Sequence, residues 1–180
     1  MSRREQDQAL IAQIAKGDRR AMRELYDTYS DPVYRFAKIW LADPFEASDI
    51  MHETMMEVWK SAGKFGGRSS VKTWVFSITK NKSIDRNRKG GRTVLQDPDP
   101  NIVDDAPAPD AVLSAFQDAE KVRACVDTLS PTQKAAVHLA FYQDLTYREI
   151  ADMEDCPVGT IKTRIMHAKK LLMRCLSGET

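Results

Sequence analysis

The acidic segment in the middle of the chain most constrains what the sequence can fold into. Residues 93–120 contain seven Asp or Glu and no Lys or Arg, and within them QDPDPNIVDDAPAPDA repeats proline and aspartate. Proline lacks a backbone donor and like charges repel, so this segment favours neither a regular helix nor a packed core. The sequence therefore predicts two small domains, residues 1–92 and 112–180, joined by a flexible acidic linker over residues 93–111.

The net charge of +1 conceals this division. Residues 1–92 hold 18 Lys or Arg against 12 Asp or Glu, which is a net +6. Residues 121–180 hold 9 against 7, a net +2, and the middle segment supplies the remaining −7. The acidic segment therefore separates two flanking regions, residues 1–92 and 121–180, that are both net positive.

Apolar residues recur at helical spacing in both domains, and no sustained alternation indicates a strand, so we expect an all-α fold. In the first domain, AMRELYDTYSDPVYRFAKIWL carries an apolar face. This face consists of Leu25, Tyr29, Val33, Phe36, Ala37 and Trp40. Because proline is favoured at the first position of a helix, Asp31-Pro32 predicts that a new helix begins within this stretch.

Two further helices are predicted in the first domain. One runs from about Glu46 to Ala62, with an apolar stripe formed by Ile50, Met51, Thr54, Met55, Val58 and Trp59. The glycines of GKFGGRSS end that pattern, and VKTWVFSITKNKSIDRNRK begins another helix that ends in a basic run. We expect this helix to bury a stripe through Trp74, Ile78 and Ile84.

The second domain contains two capping boxes, each of which predicts the start of a helix. Ser130 and Gln133 form the first, with proline following Ser130, and Thr146 and Glu149 form the second. The stretch QKAAVHLAFYQDL is predicted as one helix, YREIADM as a short helix, and MEDCP as a turn before a last helix that starts at Pro157. A short helix, a tight turn and a longer helix indicate a helix-turn-helix.

The last helix has a packing face and a basic face. At about 100° per residue, the packing face consists of Ile161, Ile165, Ala168, Leu172 and Cys175. The opposite face and its shoulders consist of Gly159, Lys162, Thr163, Met166, His167 and Lys170. Residues 158–176 contain five Lys or Arg and no acid, which favours a polyanion partner over a merely solvated surface.

Several classes of protein are disfavoured by what the sequence contains. No apolar run has the length of about 18 to 20 residues that a membrane span needs, and MSRREQDQALIAQ lacks the apolar centre of a signal peptide, so we expect a cytoplasmic protein without membrane insertion. Cys125, Cys156 and Cys175 are odd in number and widely spaced, which suggests neither a disulfide framework nor a metal site. No nucleophile with a general base is recognisable, so we expect no enzyme and no cofactor.

The motifs of both domains resemble one known family. LTYREIADMEDCPVGTIKTRIMHAKKLL, preceded by LSPTQKAAVHLAFYQ, resembles the minus-thirty-five reading domain of bacterial RNA polymerase sigma factors of the extracytoplasmic-function (ECF) group. DPFEASDIMHETMMEVWKSAGKF resembles the polymerase-binding helix of that family, and RSSVKTWVFSITKNKSIDRNRK resembles its helix for the minus-ten element. The resemblance covers residues 8–92 and 112–176 in the same order, across a variable linker.

The resemblance implies a surface for core RNA polymerase on the second predicted helix of the first domain. The expected residues are Asp49, His52, Glu53, Met56 and Glu57. Acids four residues apart share one helix face and would suit the basic clamp helices of the polymerase. His52 stands where the family usually has a glutamine, which is a departure at one hydrogen-bonding position.

The resemblance also implies a site for the minus-ten promoter element, where the glycine-rich loop receives a flipped base. Phe65 and Asn81 match pocket positions, although the pattern alone makes Phe65 and Trp74 more typical of core. The expected donors of the loop are Arg68, Ser69 and Ser70. The candidates for phosphate contacts are Lys80, Lys82, Arg86, Arg88 and Lys89.

For the minus-thirty-five element, the resemblance assigns base reading to the N-terminal half of the last helix. The base-reading positions are Lys162, Thr163, Met166 and His167, and the backbone contacts are Arg148, Thr160 and Lys170. His167 replaces a common arginine, and Ala140 stands where some members carry an arginine that contacts DNA.

The resemblance thus implies an initiation factor whose partners are core RNA polymerase, promoter DNA and an anti-sigma factor. The acidic linker is expected to thread a basic channel of the polymerase. Two alternatives fit less well. A response regulator would need β-α alternation in the first domain, and a small recombinase would need a nucleophile or paired metal carboxylates in a cleft.

Overall fold

The chain is all-α, as the sequence predicts. The computed structural model describes residues 2–91 and 119–178, and its regular elements within those ranges are all helices. The fold divides into two compact units, Met1–Val94 and Leu95–Thr180. The predicted linker, residues 93–111, lies outside the described residues.

The described residues of the N-terminal unit form four α-helices, with α2 at the centre. They are α1 (Arg3–Ile14), α2 (Arg19–Trp40), α3 (Pro44–Ser61) and α4 (Val71–Lys89), with a short 3-10 turn at Ala62–Lys64. The other three helices all pack against α2. Phe36 of α2 and Phe76 of α4 are both fully buried and meet edge to face, with ring centroids 5.2 Å apart.

The helix α2 is continuous, so the predicted new start at Asp31-Pro32 is wrong. Pro32 lies inside α2 although proline in a helix interior costs about 3 kcal/mol. Every residue of the predicted apolar face is buried, on both sides of the proline. We attribute the unbroken helix to this packing, because burial of a large apolar side chain contributes about 1.5 to 3 kcal/mol.

The buried face of α4 also differs from the prediction. Trp74, Ile78 and Ile84 are only half-buried, as is Trp59 of α3. The residues that α4 buries are Val71, Thr73, Val75, Phe76, Thr79, Ser83 and Asn87. Small polar side chains permit the close packing of α4 against both α2 and α3, and a rule that counts only apolar residues misses them.

The helix α1, which the sequence patterns did not reveal, is held to α2 by a buried acid. Asp7 is 3% exposed, accepts a hydrogen bond from the Tyr29 hydroxyl and pairs with Arg3 at 3.2 Å. Burial, reinforced by the hydrogen bond to the Asp7 carboxylate, raises the pKa of Tyr29 far above its ordinary value. Tyr29 therefore remains protonated as the donor to Asp7.

Over residues 119–178, the C-terminal unit forms four α-helices and one π-helical turn. They are α5 (Ala119–Asp127), α6 (Pro131–Val137), the π-helix His138–Tyr142, α7 (Tyr147–Glu154) and α8 (Val158–Ser177). Both predicted capping boxes are confirmed, at Ser130 and at Thr146. The predicted single helix over residues 133–145 is wrong in its second half, where the π-helix replaces α geometry and ends at Tyr142.

The helix-turn-helix is formed by α7 and α8. Asp155 ends α7 in the left-handed region, at φ 51°, and Pro157 occupies the N-cap position of α8 without a side-chain hydrogen bond. The helices α5, α6 and α7 all pack against α8. The last helix therefore contacts three helices, whereas in a two-helix motif alone it would contact one.

Contrary to the sequence analysis, the C-terminal unit contains a disulfide bond. It joins Cys125 of α5 to Cys175 of α8 across 50 residues of sequence. An odd number of cysteines without close spacing gave no indication of it, because only the packing of α5 on α8 brings the two together. Cys156 is not part of this disulfide and is partly exposed.

Candidate polymerase and nucleic-acid surfaces

The five residues predicted to bind polymerase lie together on the outer side of α3. Met56 is 54% exposed, and a shallow depression of about 330 Å³ surrounds it. This depression is lined by His52, Glu53, Met56, Glu57, Lys60 and Lys82. An exposed apolar side chain ringed by charges is the arrangement of a small protein-binding surface.

His52 is anchored at the edge of this depression. One ring nitrogen, Nδ1, lies 2.9 Å from the carbonyl oxygen of Ser48, and Nε2 lies 3.5 Å from the hydroxyl of Tyr26. In a neutral imidazole, a bond to a backbone carbonyl requires the proton on Nδ1 and leaves Nε2 as an acceptor. The imidazole therefore has a fixed orientation between α2 and α3.

The acids of α3 are paired with cations of α4. Glu53 lies 2.5 Å from the guanidinium of Arg86, Asp49 lies 3.9 Å from it, and Glu57 lies 3.9 Å from Lys82. The two helices run antiparallel here, since rising numbers in α3 meet falling numbers in α4. Two surfaces that the sequence assigned to different partners, polymerase and DNA, are thus in contact with each other.

The loop before α4 places Phe65 against Trp74. Their ring centroids are 4.9 Å apart at an interplanar angle of 41°, and both residues are half-buried. Gly67 has φ +66°, a conformation that favours glycine and turns the chain between the two aromatic residues. Together with Ile78 these rings form a partly exposed apolar ridge beside the loop.

The serines of this loop have structural roles. Ser70 is the N-cap of α4, where its side chain accepts a hydrogen bond from the backbone of Thr73 and lies 2.7 Å from the Thr73 hydroxyl. Ser69 donates to the carbonyl of Ser70. Arg68 is exposed at the tip of the loop, and of the three predicted donors its side chain is the most available to a ligand.

The remaining minus-ten residues lie along the outer face of α4. Asn81 is exposed, two helical turns after Trp74 and on the same side, about 10 Å along the axis. Arg88 and Lys89 are exposed in the last turn, whereas Lys80 and Lys82 are partly buried. The structure therefore brings the aromatic ridge, Asn81 and a basic end together on one helix.

Most of the predicted minus-thirty-five residues lie on the exposed side of α8. Thr160, Lys162, Thr163 and Met166 are exposed, and Met166 is 41% accessible. Arg148 is exposed in the first turn of α7. This stripe at the N-terminal half of α8 has the composition of a surface that reads base edges.

Two predicted residues are not on this stripe. His167 and Lys170 are only 8% and 7% exposed, so the helical-wheel assignment of both to the open face is wrong. The wheel assumed a single packing face, whereas three helices contact α8 and cover more of its circumference. Their roles in reading or contacting DNA remain predictions from the resemblance.

Sequence reasoning missed a second group beside α8. Lys169 is exposed and its ammonium lies 4.9 Å from the centroid of the Phe141 ring, which is 50% exposed. Tyr142 is 71% exposed and stacks on His138. The π-helix places these aromatic side chains, and the sequence offered no signal for it.

Sequence reasoning also missed Phe45, which is 82% exposed at the start of α3.

One ion pair belongs to the motif itself. Arg164 of α8 lies 3.6 Å from Glu154 at the end of α7, and the side chains are 12% and 11% exposed. It bridges the turn between the two helices. Arg164 therefore faces the protein, although its neighbours Lys162 and Thr163 face solvent.

Within residues 2–91 and 119–178, no group of three or more His, Cys, Asp or Glu side chains is placed to hold a metal ion. In the same ranges, no helix combines the length and apolar character needed to cross a membrane.

Two family models match this chain, one in each unit. Residues 25–93 match the family described as Sigma-70 region 2, and residues 119–172 match Sigma-70, region 4. The RNA polymerase sigma-H factor of Pseudomonas aeruginosa is 26% identical over 186 residues, which cover 98% of this chain and 96% of that protein. The ECF RNA polymerase sigma factor SigK of Mycobacterium ulcerans is 29% identical over 182 residues, 94% of this chain and 93% of the relative.

A solved structure extends the comparison to the fold. The sigma factor RpoE of Bartonella quintana, crystallised in complex with the anti-sigma factor NepR, aligns with a TM-score of 0.65 and 26% identity over 88% of this chain and 98% of that chain. The chain belongs to the sigma-70 family of RNA polymerase sigma factors, in its extracytoplasmic-function group.

Proposed function

We propose that this chain binds core RNA polymerase through α3, reads the minus-ten element through the loop and outer face of α4, and reads the minus-thirty-five element through α8. It directs transcription initiation in the cytoplasm, where its polymerase acts, and it uses no cofactor and catalyses no reaction itself. An anti-sigma factor controls its access to polymerase and DNA.

One observation carries the proposal. Each of the two matched regions presents an exposed surface whose chemistry fits its assigned partner. Met56 among acids on α3 suits a basic protein surface, and Lys162, Thr163 and Met166 on α8 suit the edges of bases. The anti-sigma factor is proposed because the Bartonella relative is found in complex with one.

The direct test is transcription in vitro with purified core polymerase, the full-length chain and a library of promoters randomised at both elements. We expect transcripts from a restricted set of sequences when the chain is added and none with core polymerase alone. No selected sequence above the background of core polymerase would contradict the proposal.

A pair of charge-matched variants tests the polymerase surface. Glu53→Gln with Glu57→Gln is expected to weaken the binding of core polymerase by about tenfold, because charges at an interface centre contribute on the order of 1.4 kcal/mol or more. Glu24→Gln with Asp31→Asn removes the same charge from exposed positions of α2 and is the control. Equal weakening by both pairs would indicate a general effect of net charge instead.

A further inference from the structure

Three ion pairs between α3 and α4 connect the surfaces that the proposed function assigns to different partners. Arg86 is shared between Glu53 and Asp49, and its side chain is 29% exposed, so it is accessible from solvent. Lys82 is similarly placed beside Glu57. We propose that Arg86 exchanges partners, from the α3 acids in the free protein to a DNA phosphate once polymerase has bound those acids.

The argument begins with the competition for Arg86. A guanidinium that makes a 2.5 Å contact with a carboxylate offers fewer donors to a phosphate, and the adjacent acids repel a DNA backbone. In the free chain, contact between Arg86 and DNA must therefore overcome both effects. The free protein is expected to bind DNA more weakly than its count of basic residues suggests.

Polymerase relieves the competition because it uses the same acids. A basic surface docked on Asp49, Glu53 and Glu57 would neutralise the charges that hold Arg86 and Lys82. The two cations would then become available to phosphates without a change in the fold. By linkage, DNA held by Arg86 would in turn leave the acids more available to polymerase, so each partner favours the binding of the other.

Nearby cations of α4 provide an internal comparison. Arg88 and Lys89 are exposed in the last turn and form no ion pair within the described part of the chain. Their contribution to DNA binding should be the same with or without polymerase. The coupling is thus specific to residues that face α3 and does not follow from the basic character of α4 as a whole. This inference rests on the proposed function, since it needs both partners.

The test is a double-mutant cycle on the full-length chain, measured as the Kd for a fluorescent minus-ten promoter oligonucleotide at low salt. Glu53→Gln is expected to tighten binding by the free protein about two- to fivefold, which is the range of an exposed ion pair. In an Arg86→Gln background the same change should give no tightening. In an Arg88→Gln background the tightening should persist.

The second half of the test adds core polymerase at saturating concentration. In the polymerase-bound chain, Glu53→Gln should no longer tighten DNA binding, because polymerase already binds this acid. Equal tightening with and without Arg86 would show that only long-range repulsion is relieved, and it would overturn the proposal. Persistence of the tightening at saturating polymerase, or no tightening in the free protein, would overturn it as well.

Two separate results would show that the proposed function fails, and the exchange with it. If Arg86→Gln leaves DNA binding by the holoenzyme unchanged, Arg86 does not contact phosphate. If Glu53→Gln leaves polymerase affinity unchanged, α3 does not dock through this acid. When both single effects are present and the coupling between Glu53 and Arg86 is absent, only the exchange is wrong.

Discussion

The two units of this sigma factor place their opposite charges differently. In the N-terminal unit, Arg86 and Glu53 meet at the surface, with side chains 29% and 46% exposed. In the C-terminal unit, Arg164 and Glu154 are largely shielded from solvent, with side chains 12% and 11% exposed. The C-terminal unit also has a covalent bond between α5 and α8, whereas the N-terminal unit relies on an apolar core around α2.

The difference indicates how the same interaction can serve two purposes. An exposed ion pair contributes about 0 to 1 kcal/mol, because water screens it, and can be exchanged for another partner at little cost. A shielded pair cannot be broken without leaving a buried charge, so it fixes geometry. We infer that the ion pairs on the N-terminal surface can exchange partners and that the helix-turn-helix of the C-terminal unit is rigid.

The largest expected effect concerns the disulfide. Cys125→Ala with Cys175→Ala should lower the free energy of unfolding of the C-terminal unit by about 4 kcal/mol, because the bond closes a long loop in the unfolded chain. Trp40, Trp59 and Trp74 all lie in the N-terminal unit, so tryptophan fluorescence reports that unit alone. The urea transition followed by circular dichroism should therefore shift while the fluorescence transition remains in place.

Cys156→Ala is the matched control for this experiment, since Cys156 is partly exposed and lies outside the disulfide. It should leave both transitions unchanged. Reduction of the wild-type disulfide should reproduce the double variant. A fluorescence transition that shifts together with the dichroism signal would contradict the assignment of the bond's effect to one unit.

The next effect in size tests the shielded ion pair. Arg164→Met keeps much of the side-chain volume but leaves Glu154 without this cation, which should cost about 3 kcal/mol of unfolding free energy in the C-terminal unit. Arg174→Met, at an exposed position of the same helix, should change it by less than about 0.5 kcal/mol. Similar values for both variants would remove the distinction between the two kinds of ion pair.

Local sequence signals predicted the elements of this fold better than their packing. The capping boxes at Ser130 and Thr146 depend on residues three apart, so they were readable from the chain and are confirmed. The same holds for the apolar face of α2, which contacts three other helices. Family resemblance supplied the rest of the functional assignment, and the comparisons confirm the family.

The errors arise where a residue's environment depends on distant elements. Pro32 was expected to start a helix, but packing on both sides keeps α2 continuous. Trp74 was expected in the core, but small residues of α4 pack there instead. His167 and Lys170 were expected in solvent, and they are buried because three helices surround α8. Which residues contact polymerase and DNA stays a prediction.

A binding measurement tests whether α8 contacts the edges of bases. Lys162→Ala should cost about 1 to 3 kcal/mol on the preferred minus-thirty-five element and much less on mismatched elements, since a contact to a base edge depends on sequence. Lys170→Ala should act mainly on stability, because Lys170 is 7% exposed. Holoenzyme binding to matched and mismatched duplexes distinguishes the two. An equal loss on every duplex for Lys162 would place it on the backbone instead.

The smallest expected effect is the coupling energy between Arg86 and Glu53. It tests whether this ion pair is weak enough to exchange partners. A double-mutant cycle of Arg86→Gln and Glu53→Gln, followed by tryptophan fluorescence in urea, should give a coupling of about 0.2 to 1 kcal/mol in unfolding free energy. The coupling should fall further at high salt, because the pair is exposed. A salt-insensitive coupling above about 2 kcal/mol would make Arg86–Glu53 a structural pair like Arg164–Glu154. In that case the α3 acids could not release Arg86 when polymerase binds. Breaking the pair would cost more free energy than a single phosphate contact contributes.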